Sequence, residues 1–106
     1  MVRINRSAKP FSSGPAFHDS YTVLSPEGAS FLASLCPLSI GFDYYSLDPP
    51  ESEGYVAHMI FAAAGISVFV CLDLLNVQEG AYLFAGFPLP LQGAEGAPVR
   101  AMLIER

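Results

Sequence analysis

Apolar positions change period along this chain, and each change marks an element boundary. Ala29, Phe31, Leu32 and Leu35 recur at helical spacing behind Ser25-Pro26-Glu27. That triplet offers an N-cap hydroxyl, a proline whose missing N–H would be unpaired there anyway, and an acid at the positive end of the helix dipole. Pro37 ends this first helix. Leu38 to Phe42 reads as a short buried strand closed by Asp43. Ser46 to Glu53, with Asp48-Pro49-Pro50-Glu51, reads as an extended, solvated, acidic loop. Helical spacing returns from Tyr55 to Ala64 through Val56, Met59, Ile60 and Ala63, and Gly65 is the C-terminal stop.

Ile66 to Leu72 is continuously apolar and rich in β-branched residues, which predicts a strand covered on both faces. A turn at Gln78-Glu79-Gly80 leads into a strand from Ala81 to Phe87. Pro88 and Pro90 then require a sheet edge or a bulge. Gln92 to Pro98 is a loop, and Val99 to Ile104 is the last strand. A short first strand at Val2 to Asn5, followed by a loop-rich stretch over residues 8–24, completes the order. The expected architecture is a single α/β or α+β domain over residues 1–106, a mixed sheet of about five strands covered by two helices.

Composition narrows the partners. The 106 residues hold 5 Lys+Arg against 10 Asp+Glu, a formal charge of −5. All five basic residues (Arg3, Arg6, Lys9, Arg100, Arg106) lie outside 10–99. Nucleic acid and anionic membrane surfaces are therefore excluded as partners on charge grounds. With 52% hydrophobic and only 14% charged residues in so short a chain, the apolar side chains exceed what one small domain can hide. A homo-oligomer is expected. The apolar run Met59 to Leu72 is too short to span a bilayer, and the opening Met1-Val2-Arg3 leads into polar sequence, so a cytoplasmic location is expected. Cys36 and Cys71 lie in apolar surroundings without CxxC spacing, which predicts buried free thiols.

Candidate chemistry is sparse. His58 lies on a different helical stripe from Val56, Met59, Ile60 and Ala63, and no HxH, HxxxH or HExxH pattern surrounds it. Spacing alone makes it a satisfied or surface histidine. Asp48, Glu51 and Glu53 read as a solvated carboxylate run, and His18-Asp19 is a pair by adjacency only. No GxSxG, P-loop or GxGxxG is present.

Several segments in order do carry a resemblance. Leu24-Ser25-Pro26-Glu27-Gly28-Ala29, Ile40-Gly41-Phe42-Asp43-Tyr44-Tyr45-Ser46-Leu47-Asp48-Pro49-Pro50, and Phe87-Pro88-Leu89-Pro90-Leu91-Gln92-Gly93 with Gly96-Ala97-Pro98-Val99-Arg100-Ala101 are the main ones. Together they resemble the C-terminal half of the cyclase-like family of metal-dependent hydrolases, which includes bacterial kynurenine formamidases and isatin hydrolase. That resemblance implies a truncated swivelling β/β/α domain. It also implies that the family's zinc or manganese ligands come mostly from an HxGTHxDxPxH motif, for which this sequence has no counterpart.

Two further family ligands belong to this half. His58 matches the histidine, and the position of the glutamate falls on Val70, which cannot bind a cation. The resemblance thus leaves His58 as the one retained ligand position, with no catalytic residue and no cofactor expected. Three functions remain open: a non-catalytic self-associating domain; a residual amide or ester hydrolase with a site built at an oligomer interface from His18, His58 and acids; or a small-ligand or protein-binding module using Tyr44, Tyr45, Phe61, Phe69 and Phe84.

Overall fold

The structure is a computed structural model that describes residues 21–105. The expected strand at Val2 to Asn5 and the His18-Asp19 pair lie outside the described residues. The chain divides into two compact units, Met1–Asn76 and Val77–Arg106.

In the first unit, helix α1 spans Pro26–Ser34. The Ser25 hydroxyl accepts from Gly28 N at 3.1 Å, so the cap read from Ser25-Pro26-Glu27 is formed. Strand β1 (Ser39–Gly41), helix α2 (Val56–Ala63) and strand β2 (Ser67–Phe69) make a parallel crossover, with Ile40 opposite Val68. Gly65, at φ 69°, ends α2 as expected. Its N–H donates to Ala62 O, and that of Ile66 donates to Phe61 O at 2.9 Å. This is a Schellman closure, and it carries Ile66 into the core beside Phe61. The core comprises Ala29, Ile40, Phe42, Leu47, Ala57, Phe61 and Ile66.

The second unit is an antiparallel hairpin of β3 (Leu83–Pro88) and β4 (Val99–Ile104), with Leu83 opposite Ile104 and Phe87 opposite Arg100. Pro88 is the last residue of its strand, where a missing ladder donor is tolerated.

The mixed α+β character stands, and four expectations are corrected. First, the described residues form two separate two-stranded sheets rather than one of about five strands. Second, the strand expected over Ile66 to Leu72 is only three residues long, because Cys71 adopts φ 59°, which extended pairing cannot accommodate. Third, the predicted apolar stripes are buried only in part: Ala29 and Leu32 of α1 and Ile60 of α2 lie in or against the core as the spacing suggested, whereas Phe31, the C-cap Leu35, Val56 and Met59 are exposed. The residues facing inward are Ala29 on α1 and Ala57 and Phe61 on α2, small or aromatic positions set by the helix-on-helix approach. Fourth, Cys36 and Cys71 are free but exposed. Each sits at a left-handed backbone position (Cys36 φ 51°, Cys71 φ 59°).

Candidate functional site

Helix α2 begins without help from its own sequence. Tyr55, at its N-cap, adopts φ 47° and makes no side-chain cap bond. The first N–H groups of a helix lack intrahelical acceptors, so a buried start needs one from elsewhere. Asp48 supplies it. Its Oδ1 accepts from Ala57 N at 2.8 Å and its Oδ2 from His58 N at 3.1 Å. The carboxylate is also placed where the helix dipole favours negative charge.

Local structure delivers that side chain. Leu47 is buried in the core, and its carbonyl accepts from Leu24 N at 2.8 Å. Asp48 N donates to Ser46 Oγ, and its carbonyl accepts from the Tyr21 hydroxyl at 2.7 Å. Pro49 keeps Asp48 out of the helical region. Tyr21 packs on Tyr44 at 4.4 Å between ring centroids, and Tyr44 meets Tyr45 edge-on at 4.9 Å.

The histidine completes the arrangement. His58 Nδ1 lies 2.6 Å from Asp48 Oδ2. Because an ionised carboxylate only accepts, Nδ1 carries the proton and donates. In the neutral ring this leaves Nε2 as a lone-pair donor, on a side chain that is 36% exposed. The Tyr55 ring stands edge-on to the imidazole at 6.2 Å. Burial by itself pushes the Asp48 carboxyl up. The Ala57 N–H bond, the His58 ring bond, the His58 N–H bond and the histidine charge outweigh it and hold the group below its ordinary 3.8.

The assignment of Asp48 to a solvated acidic loop is therefore corrected: its residue exposure is 2%, while its neighbours Glu51 and Glu53 are exposed. A signal was available in the sequence. Gly54-Tyr55 offers α2 no N-cap side chain, so an acceptor had to come from upstream. His58 makes a ring hydrogen bond to Asp48, and its side chain stays partly exposed.

Among the described residues, the remaining candidates do not join this pair into a chelate. Among the described residues, no three His, Cys, Asp or Glu side chains converge as a metal group would require. Val70, just past β2, is half-buried and packs against the core. Burial around its sulfur pushes the Cys71 thiol above its ordinary 9.0, which makes it a poor nucleophile. Of the aromatics considered as a ligand pocket, Phe61 is wholly buried in the core and Phe84 belongs to the hairpin unit.

Comparison with solved structures first defines the class. Over 83% of the chain the fold matches, at a TM-score of 0.76 and 31% identity, a protein described as a potential metal-dependent hydrolase with cyclase activity, and covers 43% of it. It matches a predicted metal-dependent hydrolase from Bacillus stearothermophilus at a TM-score of 0.75 and 31% identity, with 83% of this chain and 42% of that one covered. No family model matches the chain.

Curated relatives then give the particular likeness. The chain is 36% identical over 86 residues to a kynurenine formamidase of Polaromonas naphthalenivorans, covering 81% of this chain and 39% of the relative. It is 37% identical over 87 residues to that of Geobacillus thermodenitrificans, covering 82% and 42%. The chain is thus homologous to a part of the kynurenine formamidase-like, metal-dependent hydrolases, and it spans about two-fifths of the length of the curated relatives it matches.

Proposed function

We propose that this chain is a non-catalytic, cyclase-like domain that buries its apolar faces by self-association and works in the cytoplasm. The observation that supports the loss of chemistry most directly is how the Asp48 carboxylate is used. Both oxygens accept bonds from the start of α2, and one also holds the His58 ring, so the carboxylate beside the retained histidine is committed to structure. A second donor is lacking where the resemblance would put one, because Val70 offers only methyl groups to the core. One imidazole nitrogen does not make a chelate. Self-association is supported by the exposed apolar side chains on both units, Phe31, Leu38 and Met59 on the first and Phe87 and Leu91 on the second.

Elemental analysis of the purified protein, run beside an aryl-formamide hydrolysis assay, tests this. The expected result is substoichiometric zinc and manganese and hydrolysis at the background rate. Stoichiometric metal, lost together with turnover in His58→Ala, would overturn the proposal.

One observation favours a second reading, a residual metal-dependent amide or ester hydrolase completed across an oligomer interface. The His58 ring is held by a carboxylate on Nδ1, the outer partner that metal-binding histidines commonly have, on a side chain that is partly exposed. If that reading holds, added zinc raises the melting temperature of the native protein and leaves His58→Ala unaffected.

A further inference from the structure

Helix α2 has no polar side chain on its outer face. His58 is its one polar residue, and the ring is bonded to Asp48. Ala57 and Phe61 are buried on the inner face. Val56, Met59 and Ala63 follow one another at helical spacing and are all exposed, Met59 by 61%. Tyr55, just ahead of the first turn, adds a ring that is 57% exposed. A helix that is apolar all round is ordinarily covered on every side.

The chain itself brings a candidate to this face. Tyr21 is fastened beside the start of α2: its hydroxyl donates to the Asp48 carbonyl, and the carboxylate of the same residue accepts from Ala57 N and His58 N. Residues 1–20 therefore join the described part of the chain next to the first turn of that helix. From Tyr21 back to Lys9 an extended chain reaches up to about 40 Å, whereas a helix of this length is only about 12 Å long. Both segments belong to the unit ending at Asn76.

Charge selects this segment over other occupants. Arg3, Arg6 and Lys9 lie in it, against a single acid, Asp19. All the other acids lie in residues 21–105, where the only Lys or Arg is Arg100 of the hairpin. Glu51 and Glu53, both exposed, directly precede α2. Val2 and Ile4 alternate with Arg3, so the segment carries apolar side chains for the helix and bases for the glutamates together. The α2 face of a second copy would bring the same two glutamates and no base. A tethered segment also docks at high effective concentration, which a separate partner does not have.

We propose that residues 2–9 dock across the outer face of α2, with their apolar side chains on Tyr55, Val56 and Met59 and their bases toward Glu51 and Glu53. The segment is a strap within one molecule. It goes beyond the self-association reading, to which it leaves Phe31 and Leu38 of the first unit and the exposed side chains of the hairpin.

Lys9 is the only lysine of the chain, so zero-length carbodiimide coupling of the full-length protein, followed by peptide mass spectrometry, reads its carboxylate neighbours directly. A mixture of isotope-labelled and unlabelled protein separates links within one chain from links between chains. The expected result is Lys9 joined to Glu51 or Glu53 of the same chain throughout a micromolar concentration series. The second readout is oxidation of Met59 by dilute peroxide, with Met102 of the hairpin as the reference in the same molecule and circular dichroism as the check on folding. Arg3→Glu combined with Arg6→Glu speeds Met59 oxidation about threefold and leaves Met102 unchanged, and adding Glu51→Arg and Glu53→Arg restores the slow rate. Links between labelled and unlabelled chains overturn the strap in favour of a segment exchanged between copies. Absence of a link to either glutamate, or equal Met59 rates in the wild type and the Arg3→Glu, Arg6→Glu variant, overturns the docking site.

Discussion

The two units differ in how they hold themselves together. Every buried apolar side chain among the described residues (Ala29, Ile40, Phe42, Leu47, Ala57, Phe61, Ile66 and Leu74) belongs to the unit ending at Asn76. No described residue from position 77 onward is buried. The first unit closes a core between two helices and a parallel strand pair and then ties its loop to α2 through Asp48. The hairpin relies on its backbone ladder and cross-strand pairs such as Phe84 with Leu103. Buried apolar contact is therefore concentrated in one part of the chain.

That contrast can be tested by substitution, and the largest effect is expected in the core. Phe61→Ala should destabilise the protein by about 3–5 kcal/mol in urea denaturation, because the ring is wholly buried and its neighbours cannot fully collapse onto the gap. A loss below about 1 kcal/mol would mean that the core is not where the stability resides. Asp48→Ala comes next, at about 2–3 kcal/mol, since it leaves the Ala57 and His58 N–H groups and the imidazole donor without their acceptor. Asp48→Asn should cost less, because its one amide oxygen can still accept.

Acid sharpens the comparison. The folded Asp48 titrates below its ordinary 3.8, so between the two values the unfolded chain binds more protons than the folded one. Its stabilising contribution is complete above the unfolded value and disappears as pH falls through the folded one. Unfolding free energy measured from pH 5 downward should therefore drop more steeply for the wild type than for Asp48→Asn. Equal slopes would remove Asp48 from the acid response. The smallest effect is expected in the hairpin. Leu83→Ser, measured dilute enough to keep the chain monomeric, should change stability by less than about 0.5 kcal/mol, because the side chain is already half in water.

Local chemistry was legible wherever neighbouring residues were enough to determine the outcome. Ser25-Pro26-Glu27 specified the start of α1 because the cap bond spans three residues, and Gly65 specified the end of α2 because only the backbone at that point needs a positive φ. Pro88 and Pro90 announced an edge for the same reason. The helix faces were less readable: Phe31 and Met59 fit an apolar stripe as well as Ala29 and Ala57 do, and periodicity cannot tell which side a neighbour will occupy.

By itself, then, the sequence determined the helix ends, the turns, the acidic balance and the family likeness, all of which depend on residue identity or short-range geometry. Tertiary structure alone decided that Asp48 is a buried cap rather than a solvated acid, that the His58 ring bonds to it through Nδ1, and that one hairpin face stays bare. Each of these depends on what distant segments bring alongside. The carboxylate of Asp48 reaches donors nine and ten residues away only because Leu47 is anchored in the core and Tyr21 holds the intervening backbone, and no periodic pattern encodes that encounter.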